Sequence, residues 1–308
     1  MGYGQLIGII GKNGSGKTTL LKTLCNLIKP ISGSVEIENV NITSIPAIER
    51  AKKISYIMPN TGFIPDIPVS DVVAMGRFAG TGWLNAQDNN DKMLCCEAIA
   101  KSEISHLTEK KFHSLSDGEK QRVLFAMALA QNTQLMLFDE PSAFLDFPAR
   151  NHIYRIMYNL TRSENKTIIF STHDIRRALE ICDTIWAFNG DTIESGIPEF
   201  VGINNVYDNI FKDEKLNFDI EKLDFIPADL NNNIPVEING SGRLYAWTLH
   251  ILKRIGFSPQ CNIKASFSVI VNETDKTWTI NSGKEIFTTS SCTEFEEKMK
   301  SLIKKQTL

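Results

Sequence analysis

The chain has 308 residues, 42% hydrophobic and 22% charged, with 33 Lys and Arg against 36 Asp and Glu and a formal net charge of −3. That composition suits an ordinary globular chain of about two domains and excludes a disordered, collagen-like or disulfide-stapled one. The near-neutral balance removes the general electrostatic case for a nucleic-acid partner. No apolar run approaches the ~18 residues needed to cross a bilayer, and Met1–Ile10 carries no basic leader segment. Cys25, Cys95, Cys96, Cys182, Cys261 and Cys292 show neither CxxC pairing nor His at zinc-site spacing, so they read as reduced thiols. Adjacent Cys95 and Cys96 leave a vicinal redox pair as an alternative, but they fall on a helical pattern with Met93, Leu94, Ala98 and Ile99, which favours small helix residues.

Leu6–Ile10 is a short apolar run with β-branched residues, as expected of a buried parallel strand. Gly11-Lys12-Asn13-Gly14-Ser15-Gly16-Lys17-Thr18 follows and fits GxxxxGK[ST] at every fixed position. Helical apolar spacing resumes from Thr19 to Leu27. Strand, glycine loop and helix are the setting in which backbone N–H groups cradle phosphate. Glycines admit close approach, Lys17 can reach the β- and γ-phosphates, and the Thr18 hydroxyl can ligate Mg²⁺. Gly11, Asn13, Gly14, Ser15, Gly16, Lys17, Thr18 and Thr19 are therefore the candidate nucleotide-binding residues, and the loop alone does not choose between a kinase, a GTPase and an ATPase.

Ile54–Met58 reads as a second strand, and Ile67–Arg77 includes an apolar helical face of Val72, Val73 and Met75 with Ser70 as its expected N-cap. Leu115-Ser116-Asp117-Gly118-Glu119 opens a further helix through Val123, Leu124, Ala126, Met127 and Leu129. Taken alone, that turn is an ordinary helix cap. Leu135–Phe138 is another buried strand, ending in Asp139-Glu140 and followed by Ser142-Ala143-Phe144-Leu145-Asp146. An Asp at a strand's carboxyl end can hold Mg²⁺, and the next Glu can act as general base toward water. Thr167–Thr172 is a third such strand, ending at His173.

In this order, the phosphate loop, LSDGE, Asp139-Glu140, SAFLD and His173 resemble the nucleotide-binding subunit of an ABC transporter from Gly4 to about Val201. The resemblance implies an α/β P-loop ATPase with a helical subdomain at about 62–130, working as a head-to-tail homodimer that sandwiches ATP and Mg²⁺. It implies catalytic roles for Glu140, His173 and Lys17, and Mg²⁺ ligation by Thr18 and Asp139. Ser116, Asp117, Gly118 and Glu119 would act on the opposite subunit's ATP, and Asp146 would communicate between the two sites.

Three positions depart from the family pattern. The Gln expected after the Ile54–Met58 strand is replaced by Pro59, which leaves Asn60 as the candidate Mg²⁺ contact. The adenine-stacking aromatic and first strands that the family places upstream of the phosphate loop are not found between Met1 and Ile10, and Tyr3 is too near the loop to serve. Asp117 and Glu119 stand where the signature usually has Gly and Gln, while Ser116 and Gly118 are kept.

The stretch Val69-Ser70-Asp71-Val72-Val73-Ala74-Met75-Gly76-Arg77 is similar to that of importer ATPases for ferric siderophores, haem and cobalamin. That similarity implies a polytopic permease partner, an indirect link to a substrate-binding protein, and a cytoplasmic location, peripheral on the inner membrane face. Residues 1–205 are expected to form the ATPase domain, 206–234 a connecting segment, and 235–308 a small C-terminal α/β domain for regulation or dimerisation. In that tail Val236–Ile238, Ala265–Val271 and Thr277–Ile280 read as strands, and Leu244–Ile255 and Thr293–Lys305 as helices. Trp247, Trp278 and Phe267 are expected in its core. A soluble non-transport ABC ATPase of iron–sulfur type and a low-turnover regulatory subunit stay open as alternatives.

Overall fold

The strand runs that read as continuously apolar are buried along their whole length. In the computed structural model, β1 (Leu6–Ile10) and β4 (Thr167–Ser171) are buried at every residue, and β3 (Leu135–Asp139) at all but its first. With β2 (Ile54–Ile57), β5 (Thr184–Asn189) and β6 (Thr192–Gly196), they form a six-stranded sheet in the order β2-β3-β4-β1-β5-β6. The first five are parallel; β6 adds antiparallel at the edge. The structure describes residues 2–58, 66–81, 88–210, 212, 216–220, 222–227, 234–283 and 285–306.

Alternation along the strands sorts two layers. Leu6, Ile10, Met136, Phe138, Ile168 and Phe170 face one core, while Ile7, Ile9, Leu137 and Ile169 face another with Leu21 of α1 (Lys17–Leu24). The first core takes the helices α2 (Val69–Ala74), α3 (Asn89–Lys101), α4 (Asp117–Gln131), α5 (Phe147–Ser163) and α6 (Ile175–Ile181). Registry then fixes the site: Asp139 lies opposite Ser171, and Ser171 opposite Ile9. The carboxyl ends of these three neighbouring interior strands thus lie side by side.

Ser70 does not cap α2. The helix starts at Val69 after Pro68, without a side-chain cap bond. The N–H groups of Val69 and Ser70 donate instead to the carbonyls of Lys110 and Thr108, both at 3.0 Å. The orphan donors that a cap would satisfy are already used. Met75, expected on the apolar face, is exposed in the 3₁₀ turn Met75–Arg77 that follows. Gly76 in that turn presses on α4: an added Cβ would lie 2.2 Å from the Met127 carbonyl oxygen. Arg77 donates from Nε to Asp91 Oδ1 at 2.7 Å and from Nη1 to the carbonyls of Ala130 (2.9 Å) and Gln131 (3.0 Å). One guanidinium therefore ties the start of α3 to the end of α4.

The chain divides into units Met1–Phe225 and Ile226–Leu308. Much of the stretch expected as a connector is part of the first unit. Val206, Tyr207 and Ile210 on α8 (Val206–Ile210) are buried in its core, as is Val201 on α7 (Pro198–Ile203). Burying these side chains stabilises the fold where a solvated linker would not.

The second unit is a five-stranded sheet of β7 (Ile234–Asn239), β8 (Phe257–Gln260), β9 (Ser268–Asn272), β10 (Thr277–Asn281) and β11 (Ile286–Thr289), ordered β8-β7-β9-β10-β11. Helices α9 (Gly242–Arg254) and α10 (Cys292–Gln306) cover the face made by Val236, Ile238, Val269, Val271, Trp278 and Ile280. Trp278 stacks on Phe295 and donates its indole N–H to Thr248 Oγ1 at 2.7 Å, and Phe267 is buried beside them. Trp247 is not core: it is 55% exposed. It sits one residue from Thr248, about 100° round the helix from it, and so falls off the buried stripe of Thr248, Ile251 and Leu252.

Candidate active site

The phosphate loop leaves the end of β1 and returns as α1. Gly16 takes φ 101° as the residue before Lys17, a left-handed conformation that glycine adopts without penalty. Gly11 is needed for space as well, because an added Cβ would meet Phe188 Cβ at 2.7 Å and Ser15 Oγ at 2.9 Å. The loop folds over Lys17, which is 6% exposed and donates from Nζ to the carbonyls of Gly11 and Lys12, each at 2.9 Å. Burial lowers the Lys17 ammonium's pKa, while the charges of Glu140 and Asp139 push it back up. Asn13, Gly14, Thr18 and Thr19 lie exposed on the loop and first helical turn. Ser15 Oγ is buried with no hydrogen-bond partner among the described residues.

Asp139 closes β3 and is 1% exposed. Its Oδ1 accepts from Ser171 Oγ at 2.6 Å, while its Oδ2 has no partner among the described residues. A buried carboxylate oxygen left over in this way costs free energy unless a donor or cation meets it. Glu140 follows in a left-handed conformation, φ 52°. Its N–H donates to Ser171 Oγ at 2.9 Å, and buried Gln121 on α4 donates to the carbonyls of Glu140 (3.4 Å) and Pro141 (3.3 Å). A strained φ at a non-glycine residue persists where the surroundings over-determine it. The outcome is that Glu140 Oε1 meets His173 Nε2 at 2.7 Å. Lys17, Asp139, Glu140 and His173 thus share the end of the sheet. Ser171 and Gln121 are site residues that the sequence did not single out; as a strand Ser and a helical Gln they carry no motif signal.

The signature residues occupy a different cleft. Ser116 caps α4: its Oγ accepts from the Glu119 N–H (3.3 Å), and its own N–H and hydroxyl donate to Glu119 Oε2, both at 2.9 Å. Those donors, the Ser116 backbone N–H first, hold the Glu119 carboxyl below its usual range. Ser116, Gly118 and Glu119 line a cleft of about 660 Å³ with Phe144 and Asp146. Gly118 is again steric, since a Cβ there would stand 3.1 Å from the Phe144 carbonyl oxygen. Asp146 caps α5, accepting from the Ala149 N–H at 3.0 Å. Pro59 and Asn60 lie outside the described residues. Tyr3 is exposed and stands before β1, at the end of the strand opposite the phosphate loop.

A family model described as "ABC transporter" matches residues 1–143, and one described as "Iron ABC transporter C-terminal domain" matches residues 233–302. The petrobactin import ATP-binding protein FpuD of Bacillus anthracis is 32% identical over 213 residues, spanning 68% of this chain and 78% of that protein. The chain belongs to the ATP-binding subunits of ABC transporters. Solved structures agree with this ABC ATPase fold. A putative metal-chelate type ABC transporter in an inward-facing conformation matches with TM-score 0.60 and 25% identity, over 69% of this chain and 79% of that one. A dimeric post-hydrolysis cassette, MJ0796 bound to ADP and Pi, matches with TM-score 0.57 and 27% identity, over 64% and 86%. The subunit is accordingly an ATPase of transport. No described helix is long and apolar enough to cross a membrane.

Proposed function

We propose that this ABC ATPase hydrolyses Mg·ATP at the phosphate-loop site to drive uptake of an iron chelate, of siderophore type, through a separate membrane permease. The observation that carries the hydrolytic reading is the Glu140–His173 contact at 2.7 Å, held beside a buried lysine in a phosphate loop. Glu140 Oε2 accepts the proton of the attacking water, and His173, with its proton on Nε2, donates to Oε1 and fixes the carboxylate's aim. Lys17 moves from the loop carbonyls to the β- and γ-phosphates, where charge develops during transfer. The α1 N-terminus and the N–H groups of residues 13–19 hold the phosphates.

Mg²⁺ fits the donors present. Thr18 and the unpartnered Oδ2 of Asp139 would hold it, and it would neutralise the phosphate oxygens. In a head-to-tail homodimer, Ser116 and Gly118 would face the partner's γ-phosphate, with Asp146 beside them. The dimeric neighbour structure supports that arrangement. The permease would hold the dimer at the inner face of the membrane, with a substrate-binding protein delivering cargo. The iron cargo rests on the C-terminal family match and on the petrobactin-import relative.

The test is a reconstituted ATPase and uptake assay with the chain's own permease. Wild type is expected to hydrolyse Mg·ATP and drive ferric-siderophore accumulation. Glu140→Gln should bind ATP but turn over at least about a hundredfold more slowly. Equal turnover by Glu140→Gln would remove the general-base role, and ATP-driven uptake of a different cargo would remove the substrate reading.

A further inference from the structure

Beneath the Glu140–His173 pair, three hydroxyls form a buried line. Ser142 Oγ lies 2.9 Å from Tyr154 Oη, and Tyr154 Oη lies 3.0 Å from Thr172 Oγ1. Ser142, Tyr154 and Thr172 are 8%, 2% and 2% exposed, so the line is buried, with Ser142 and Thr172 bordering the cavity that Glu140 and His173 also line. The two ends of the line are informative. Ser142 stands two residues after Glu140, in the loop that ends at Asp146, and Thr172 immediately precedes His173. Thr172 Oγ1 also accepts from the Asp174 N–H at 3.0 Å, so the residues on both sides of His173 are pinned to one oxygen. The phenol comes from α5, the helix capped by Asp146.

Packing does not account for this hydroxyl. The Tyr154 ring already sits against Phe170, with centroids 5.9 Å apart, and a phenylalanine would fill the same space. A buried hydroxyl costs free energy unless it is bonded. Here it is bonded twice, to hydroxyls on the two segments that carry the reacting pair. Burial pushes the phenol's pKa up despite Ser142 and Thr172, so it acts as a neutral link.

We propose that Tyr154 is a positioning residue for hydrolysis: its hydroxyl locks the Glu140 segment to the His173 segment and transmits the placement of the Asp146 loop to both. The inference rests on the general-base reading of Glu140. It requires that loss of one hydroxyl change the rate of the chemical step and leave nucleotide binding alone, because no member of the line lies in the phosphate loop.

The experiment compares steady-state Mg·ATP hydrolysis by the full-length chain as wild type, Tyr154→Phe, Thr172→Val, Thr172→Ser and the Tyr154→Phe/Thr172→Val double variant, with Glu140→Gln alongside. Tyr154→Phe is expected to lower kcat about tenfold with KM for ATP within about twofold of wild type, as for one lost positioning bond. Thr172→Val should lose a similar factor, Thr172→Ser should recover most of it, and the double variant should be no worse than the poorer single one. The proposal is overturned by a Tyr154→Phe kcat within twofold of wild type, by a Thr172→Ser loss equal to that of Thr172→Val, or by single losses that multiply. Should Tyr154→Phe not fold, Ser142→Ala, which removes the phenol's other partner, takes its place with the same expected loss, and a kcat within twofold of wild type overturns the proposal. Abolished turnover in Glu140→Gln with unchanged rates in the others would overturn only the positioning role. Undiminished turnover in Glu140→Gln would overturn the general-base reading and this inference together.

Discussion

The two sheets of this chain handle polarity in opposite ways. In the first unit, Lys17, Asp139, Ser142, Ser171 and Thr172, all under 9% exposed, form a polar group where parallel strands end, and further buried polar residues such as Ser55, Asp91 and Thr161 lie elsewhere in it. In the second unit the described buried polar residues are Thr248 and Thr289, and each makes hydrogen bonds within its own sheet-and-helix layer. Parallel strands covered on both faces have only their ends free for chemistry, and those ends face helix N-termini. The mixed sheet of the second unit buries one face, and its strands alternate, as in β9 with Val269 and Val271 inside and Ile270 outside. Beside its two apolar cores the first unit carries a polar cluster that needs partners, whereas the described buried polar residues of the second are two threonines already paired. A free Oδ2 on Asp139 is meaningful in the first setting, and no described residue of the second offers a counterpart.

The largest expected effect tests the packing side. Trp278→Ala should cost the second unit about 3–5 kcal/mol. Calorimetry of the full chain should show one transition lowered while the transition shifted by ATP stays in place; a fall in both would break the contrast. Next comes Glu140→Gln, where at least a hundredfold loss of turnover corresponds to about 2.7 kcal/mol of barrier. Its thermal stability should match wild type, because the Ser171 and Gln121 bonds to the Glu140 backbone survive. Gly76→Ala is expected to cost about 1–3 kcal/mol by forcing the 3₁₀ turn off α4, read as a lower urea midpoint with unchanged slope.

The smallest effect is electrostatic. Hydrogen bonding to Arg77 holds the Asp91 carboxyl below its usual range. A carboxyl whose folded pKa is depressed contributes stability above its unfolded pKa of about 3.9 and loses it as pH falls through the folded value. Wild type should therefore lose stability below about pH 4 in excess of an Asp91→Asn variant. Parallel acid profiles for the two would remove the pair from the account.

The phosphate loop was legible because its glycines, Lys17 and Thr18 are local: a turn's φ angles and a helix start are set within eight residues. Ser116 as a cap was legible for the same reason, and the structure places it there with Glu119. Ser70 was misread because its N–H and that of Val69 are taken by carbonyls at Thr108 and Lys110, far along the chain. Trp247 was misread because aromatic character says nothing about which side of a helix faces the sheet. Residues 206–225 lacked motif signals, yet Tyr207 and Ile210 complete the first core.

By itself the sequence determined the ordered set of chemical groups: a phosphate loop, an Asp-Glu strand end, a signature turn and a His. It could do so because each is a short run whose side-chain types and spacing carry the chemistry. Only the tertiary structure decided that Asp139, Ser171 and Ile9 lie side by side, that Glu140 meets His173, and that Tyr154 bridges Ser142 to Thr172. Those relations join residues 12 to more than 150 positions apart. They follow from sheet registry and helix packing, which no local pattern encodes.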